Sequence, residues 1–231
     1  MTLVLLPGLD GTGLLFEPLV NAVGDNFEVR IVSYPHDGAL GYAELELVAR
    51  NALPCDGPYV LLGESFSGPI AVSIAASNPA GLLGVVLSCS FVRNPRPVLS
   101  AFRFLVDAFP VRFMPAFLLS FLLMGRFSTD NLQSRLKQAL SSVSATALRT
   151  RLQAVLSVDV STELQELRVP LMYLRATEDQ IVPHAASSQI AAIYPMAEVL
   201  TLEGPHCLLQ AAPVEAAKVI GSFAARVQNA F

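Results

Sequence analysis

Short apolar runs bounded by turn residues alternate along the chain with longer segments whose apolar positions recur at helical spacing. That alternation marks a parallel sheet built from strand-helix-strand units. The runs predict strands near 2–6, 28–34, 58–63, 84–89, 170–176 and 197–203. Helices are expected near 14–24, 41–53, 66–78, 184–193 and 212–228. Together they describe an α/β fold, a six-stranded parallel sheet with helices on both faces.

One interval breaks the rhythm. About 80 residues separate the fourth and fifth strands, too many for a structureless connection. Within it Leu132, Leu136, Leu140, Val143, Leu148, Leu152 and Val155 recur at helical spacing, and the Phe-rich stretch before them predicts one or two more helices. Residues 91–160 are therefore expected to form a helical insertion, with 1–90 and 161–231 as the α/β core. Charge changes at the same boundary: the insertion carries nine Lys/Arg against Asp107, Asp130 and Asp159, a net of +6, which leaves −10 for the rest. Seven of the thirteen phenylalanines fall between 102 and 127.

With 53% hydrophobic and 15% charged residues the composition is that of an ordered globular chain. A net charge of −4, with no basic run and no zinc-type Cys/His spacing, argues against nucleic-acid binding. The most apolar stretch, residues 113–125, holds 13 uncharged residues and contains Pro115. A spanning helix needs about 20, so no transmembrane segment is expected. Cys55, Cys89 and Cys207 are odd in number and far apart, and the N-terminus lacks a basic region before its short apolar run. Both features suit a reducing, cytoplasmic location.

The most informative residues are Gly63-Glu64-Ser65-Phe66-Ser67-Gly68, between a predicted strand and an apolar helix. A serine on a sharp strand-to-helix turn needs small residues two positions to either side, because the backbones approach closely there. Gly63 and Ser67 meet that need. Ser67 competes as a nucleophile, but it stands where size is restricted and is assigned to packing. Such a turn exposes the Ser65 hydroxyl and sets the Phe66 amide at a helix N-terminus. Gly-x-Ser-x-small also occurs by chance as a helix cap; the strand-turn-helix context is what favours the nucleophile.

A serine hydroxyl needs a base, normally a histidine held by a carboxylate. His206, in the loop after the last strand, can reach the carboxyl edge of the sheet. His36 follows the second strand as a surface loop residue, and His184 falls in the first turn of a helix. Asp179, just past the fifth strand, is the candidate acid, with the adjacent Glu178 as its alternative. The order serine, acid, histidine then runs along the chain with each group at a strand's carboxyl end. After the first strand, Leu6-Pro7-Gly8-Leu9-Asp10-Gly11-Thr12-Gly13 forms a turn able to aim the Leu9 amide at a developing oxyanion beside the Phe66 amide. A phosphate loop would need a Lys followed by Ser or Thr, which is missing. Asp10 is taken as a turn residue.

These motifs resemble those of the α/β-hydrolase superfamily over nearly the whole chain. The resemblance implies strand order 2-1-3-4-5-6 and a cap, formed by the insertion, over the active site. It also departs from the common eight-stranded form: the chain starts at the strand before the oxyanion loop, and Pro7-Gly8 stands where many relatives have His-Gly. More narrowly, Leu6 to Gly11, Gly63-Glu64-Ser65-Phe66 and Asn94-Pro95 resemble bacterial esterases and the hydrolase-like part of plastid phytyl ester synthases.

That similarity implies acyl-ester chemistry, and the leading expectation is a serine carboxylesterase that needs no metal or organic cofactor. Phe113, Phe117 and Phe121 share one helical face and are candidates to line an acyl pocket, although aromatics so spaced more often pack into their own subdomain. The basic insertion suggests a runner-up, a thioesterase or acyltransferase whose acyl carrier would meet Arg93, Arg96, Arg103 or Arg112. A ligand-binding receptor that keeps the fold without turnover is a third possibility.

Overall fold

The computed structural model describes residues 1–98 and 116–230. The six apolar runs become strands β1 (Thr2–Leu6), β2 (Glu28–Ile31), β3 (Tyr59–Glu64), β4 (Leu82–Ser88), β5 (Leu171–Glu178) and β6 (Glu198–Pro205). All pair in parallel, in the order β2-β1-β3-β4-β5-β6. Each crossover carries helix: α1 (Glu17–Val23), α2 (Tyr42–Asn51), α3 (Gly68–Ala76), α4 (Ala116–Met124), α5 (Asp130–Ser141), α6 (Ala145–Ser157), α7 (Ser161–Gln165) and α8 (Ala185–Ile193). The short α9 (Leu208–Ala211) and the long α10 (Pro213–Asn229) follow β6.

Alternation along the strands sorts side chains to two cores. Val4, Leu6 and Leu61 face α2, α3, α7 and α8. Leu3, Leu5, Val60 and Leu62 face α1, α9 and α10. Both sides of the central strands are buried, which is why these strands read as unbroken apolar runs and not as alternating ones. β2 is shorter than its run because it lies at the sheet edge, half exposed. Beyond Ile31 the chain turns toward the loop after β1, where the Tyr34 N–H donates to Gly11 O at 2.7 Å.

Between β4 and β5 the helical spacing resolves into α4 to α7. Local chemistry starts two of them: the Thr129 hydroxyl accepts from the Leu132 N–H and the Ser144 hydroxyl from the Ala147 N–H. Leu119, Leu123, Met124, Leu132, Leu136 and Ala139 pack with Leu15 and Cys207, which brings α4 and α5 down beside the β6 loop. The Cys207 N–H donates to Leu123 O at 3.0 Å. Arg93 and Asp159 form an isolated antiparallel bridge where the connection leaves and returns. Among the described residues no helix is long and apolar enough to cross a membrane.

Candidate active site

β3 ends at Glu64, and the chain turns at once into a 3-10 turn, Ser65–Ser67, and then α3. The turn is sharp enough to hold Ser65 at φ 48°, left-handed backbone that a serine rarely adopts. Close approach explains the small residues around it. A Cβ on Gly63 would lie 2.7 Å from Ser67 O, and one on Gly68 would lie 1.8 Å from the Ser90 Oγ. Ser67 is fully buried: its hydroxyl donates to Pro7 O and accepts from the Tyr34 hydroxyl at 2.8 Å. It therefore ties the turn to the loop after β1.

The Ser65 Oγ lies 2.8 Å from His206 Nε2. On the other side of the ring, Nδ1 is 2.9 Å from each Asp179 oxygen. A register shift near the end of β5, between Ala176 and Glu178, precedes Asp179 and alters the direction in which the following loop leaves the sheet. The Asp179 Oδ1 also accepts from the Ile181 N–H at 2.9 Å and the Val182 N–H at 2.8 Å. Burial pushes the Asp179 carboxyl up, but the hydrogen bond and charge of His206 and the two amides outweigh it, so it stays below its ordinary value. Glu178 turns outward to Arg126, which also holds Glu203. The structure thus places Asp179, and not its neighbour, on His206.

The loop after β1 is a set of turns. The Gly11 N–H donates to Gly8 O at 3.0 Å, and the Asp10 carboxylate accepts from the Thr12 N–H at 2.9 Å and from the Thr12 hydroxyl. The Ser65–Phe66 peptide is held by its carbonyl, which accepts from the Gly68 N–H and, at 2.5 Å, from the Ser90 hydroxyl. A trans peptide points its N–H opposite its C=O, so this fixes the direction of the Phe66 amide. The Phe66 ring stacks on Tyr42 with centroids 4.6 Å apart.

The model of the alpha/beta hydrolase family matches residues 3–219. The chain belongs to this family. Among curated relatives it is 27% identical to RutD of Serratia proteamaculans, provisionally named a carbamate hydrolase, over 90% of this chain and 84% of that protein. It is 28% identical to the pimeloyl-[acyl-carrier protein] methyl ester esterase of Xanthomonas oryzae pv. oryzae, over 87% and 86%. A 145-residue stretch is 31% identical to phytyl ester synthase 1 of Arabidopsis thaliana, covering 56% of this chain and 20% of that one. A solved hydrolase from Oleispira antarctica superposes with TM-score 0.82 at 15% identity, over 99% of this chain and 91% of that one.

Within this alpha/beta hydrolase the other candidates are scattered. His36 is exposed, and His184 sits before α8 with Nε2 3.2 Å from Ala176 O. Phe113 lies outside the described residues. Phe117 and Phe121 lie on α4 but are 76% and 58% exposed, so neither packs into the helical interior. Arg93 donates to Asp159 and Ser161, and Arg96 to the carbonyls of Gln180 and Ile181. Those two are engaged within the chain, while Arg103 and Arg112 lie outside the described residues.

Three neighbours were not signalled by the motifs. Glu64 is buried behind the serine, bonded to Gln210 Nε2 at 2.9 Å; burial, with nearby Asp10, pushes its carboxyl up to about 7 against the opposing Gln210 bond. Cys89 follows β4 at φ 47° with its sulfur within 4.8 Å of Asp179 and His206 ligand atoms. Burial and the Asp179 charge push that thiol well up, and the other two groups are already bonded to each other, so the trio is poorly suited to a metal. Arg151, from α6, reaches the loop after β1 and is 1% exposed.

Proposed function

We propose that the protein is a serine carboxylesterase. The observation that carries this reading is the continuous contact Ser65 Oγ–His206 Nε2 and His206 Nδ1–Asp179 at 2.8 and 2.9 Å. Ser65 attacks the ester carbonyl carbon while His206 Nε2 takes its proton. Asp179 holds the ring in the tautomer whose Nε2 accepts, and stabilises the imidazolium. The Leu9 and Phe66 amides receive the oxyanion. Collapse of the tetrahedral species expels the alcohol, which takes the proton from His206. Water, activated by the same histidine, then releases the acid. Each step is complete with these groups, and no cofactor enters it.

In this reading residues 91–160 are a cap over the site, and Phe117 and Phe121 offer apolar surface to an acyl chain. The three free thiols accord with a cytoplasmic protein. A second form of the reading has similarity to a pimeloyl-[acyl-carrier protein] esterase behind it: the acyl group arrives on a carrier, which the cap's net positive charge attracts. Thioester cleavage and acyl transfer use the same acyl-enzyme.

The test is a steady-state profile on p-nitrophenyl esters from acetyl to palmitoyl, beside matching acyl-CoA thioesters, with Ser65→Ala as control. The esterase reading expects ester turnover well above thioester turnover, lost by about six orders of magnitude in Ser65→Ala. Preferred thioester cleavage would replace it with the carrier form. Absence of Ser65-dependent turnover, with Ser65 inert to a fluorophosphonate, would instead favour a receptor.

A further inference from the structure

Catalysis by an oxyanion hole depends on donors that are already aimed before the charge develops. The loop proposed to supply one of them contains Gly8, Gly11 and Gly13, the residue type with the most backbone freedom to lose. Beside the contacts from Ser67 and Tyr34, it is held by a side chain of the helical insertion, 142 residues away in the chain.

The Arg151 guanidinium is buried among carbonyl oxygens. Its Nη1 donates to Leu9 O at 3.0 Å and to Asp10 O at 2.8 Å, and its Nη2 donates to Pro35 O at 2.8 Å. The group also lies 5.7 Å from the centre of the Tyr34 ring. The loop is shaped to admit it: Gly11 has φ +72°, and a Cβ there would stand 2.5 Å from Nη1. Among the described residues no carboxylate lies within ion-pair distance of it. Burial opposes its charge, and the carbonyl dipoles together with the more distant charge of Asp10 sustain it, so it is neither a solvated surface charge nor a contact for a carrier.

The bonds form a directed chain. Nη1 donates to the Asp10 carbonyl. That carbonyl shares a peptide with the Gly11 N–H, which donates to the Gly8 carbonyl at 3.0 Å. The Gly8 carbonyl shares a peptide with the Leu9 N–H. In trans peptides each N–H points opposite its own carbonyl, so the two links set the direction of the Leu9 amide. Donation to one end of an amide also polarises its other end, so positive charge at Arg151 strengthens each successive donor.

We infer that Arg151 is a positioning residue for the reaction: through the Asp10–Gly11 and Gly8–Leu9 peptides it aims and polarises the Leu9 amide, making the oxyanion hole depend on the seating of the helical insertion. The inference rests on the esterase reading above. It makes the insertion part of the chemical step and not only a wall for the substrate.

The experiment compares Arg151→Met and Arg151→Lys with the wild type, below their unfolding temperatures and per fluorophosphonate-titrated site. It reads kcat and KM for p-nitrophenyl butyrate and the affinity of a trifluoromethyl ketone, whose serine adduct mimics the tetrahedral oxyanion. Losing a direct oxyanion donor lowers kcat by 10²–10³, so a residue acting through two peptides should cost about 10-fold to 100-fold in Arg151→Met. KM should stay within about 2-fold, while ketone affinity falls in proportion to kcat/KM. Lysine keeps the charge but cannot span three carbonyls, so Arg151→Lys should lose about 5-fold to 10-fold in kcat.

A role confined to stability would lower the unfolding temperature yet leave kcat per site and ketone affinity at wild-type values, and that result overturns the inference. Should Arg151→Met fail to fold, Arg151→Lys alone decides on the same two readouts. A wild type without Ser65-dependent turnover would overturn the esterase reading itself, whereas turnover that neither variant diminishes overturns only the role of Arg151.

Discussion

His206 is held at both ring nitrogens, and each partner is placed by backbone more than by its own side chain: Ser65 by a left-handed turn, Asp179 by two amides. Asp179→Asn keeps the shape but removes the charge that fixes the tautomer, so kcat should fall by roughly 10³–10⁴ with the fold unchanged by circular dichroism. Ser90→Ala removes the hydroxyl that holds the Ser65–Phe66 peptide. It should cost about 1 kcal/mol of stability and lower kcat per titrated site, a loss that steady-state assays would detect. That Ser65, Asp179 and His206 would meet was legible because each directly follows a strand and they come one after another in a recognisable order. Ser90 and Arg151 were not, because their partners are carbonyl oxygens, and a carbonyl leaves no mark in residue type. Arg151 in particular read as one cation among nine, with nothing in its local sequence to separate it from solvated neighbours.

Strand and helix identities followed from period, but their lengths and directions depended on neighbours. The run at 28–34 was apolar enough for seven residues of strand, yet the edge position ended β2 at Ile31. The spacing of Phe117 and Phe121 placed them on one side of a helix without saying what that side meets, since α4 is apolar at every position but Ser120. Motif spacing named Gly63 and Ser67 as the restricted positions, whereas the tightest approach is one residue further on. Gly68→Ala would drive a methyl group into Ser90, whose Oγ is 1.8 Å and Cβ 2.8 Å from the ideal Cβ position. We expect a destabilisation of about 2–3 kcal/mol in urea unfolding, partly restored by a second substitution, Ser90→Gly.

Across the whole molecule, buried charge concentrates around the carboxyl ends of β1, β3 and β5, and stability should respond to pH accordingly. Glu64 titrates at about 7 in the folded protein and near 4.3 when unfolded. Between those values the unfolded chain has already lost the proton that the folded one keeps. Stability should therefore fall as pH rises through this window and level off above it, by on the order of 3 kcal/mol in total. Glu64→Gln should flatten that dependence in urea titrations between pH 5 and 8. Asp179 acts in the opposite sense: its lowered value contributes stability above about 3.9 that is lost as acid protonates it.

The proposed esterase mechanism stands most directly on Ser65 as the group that becomes acylated. Reaction with a fluorophosphonate, followed by peptide mapping, measures this without a choice of acyl chain. The expected result is one label per chain, located on Ser65, with ester turnover falling in step with labelling and neither event occurring in Ser65→Ala. Label on Ser67, or ester turnover that survives complete labelling, would contradict it.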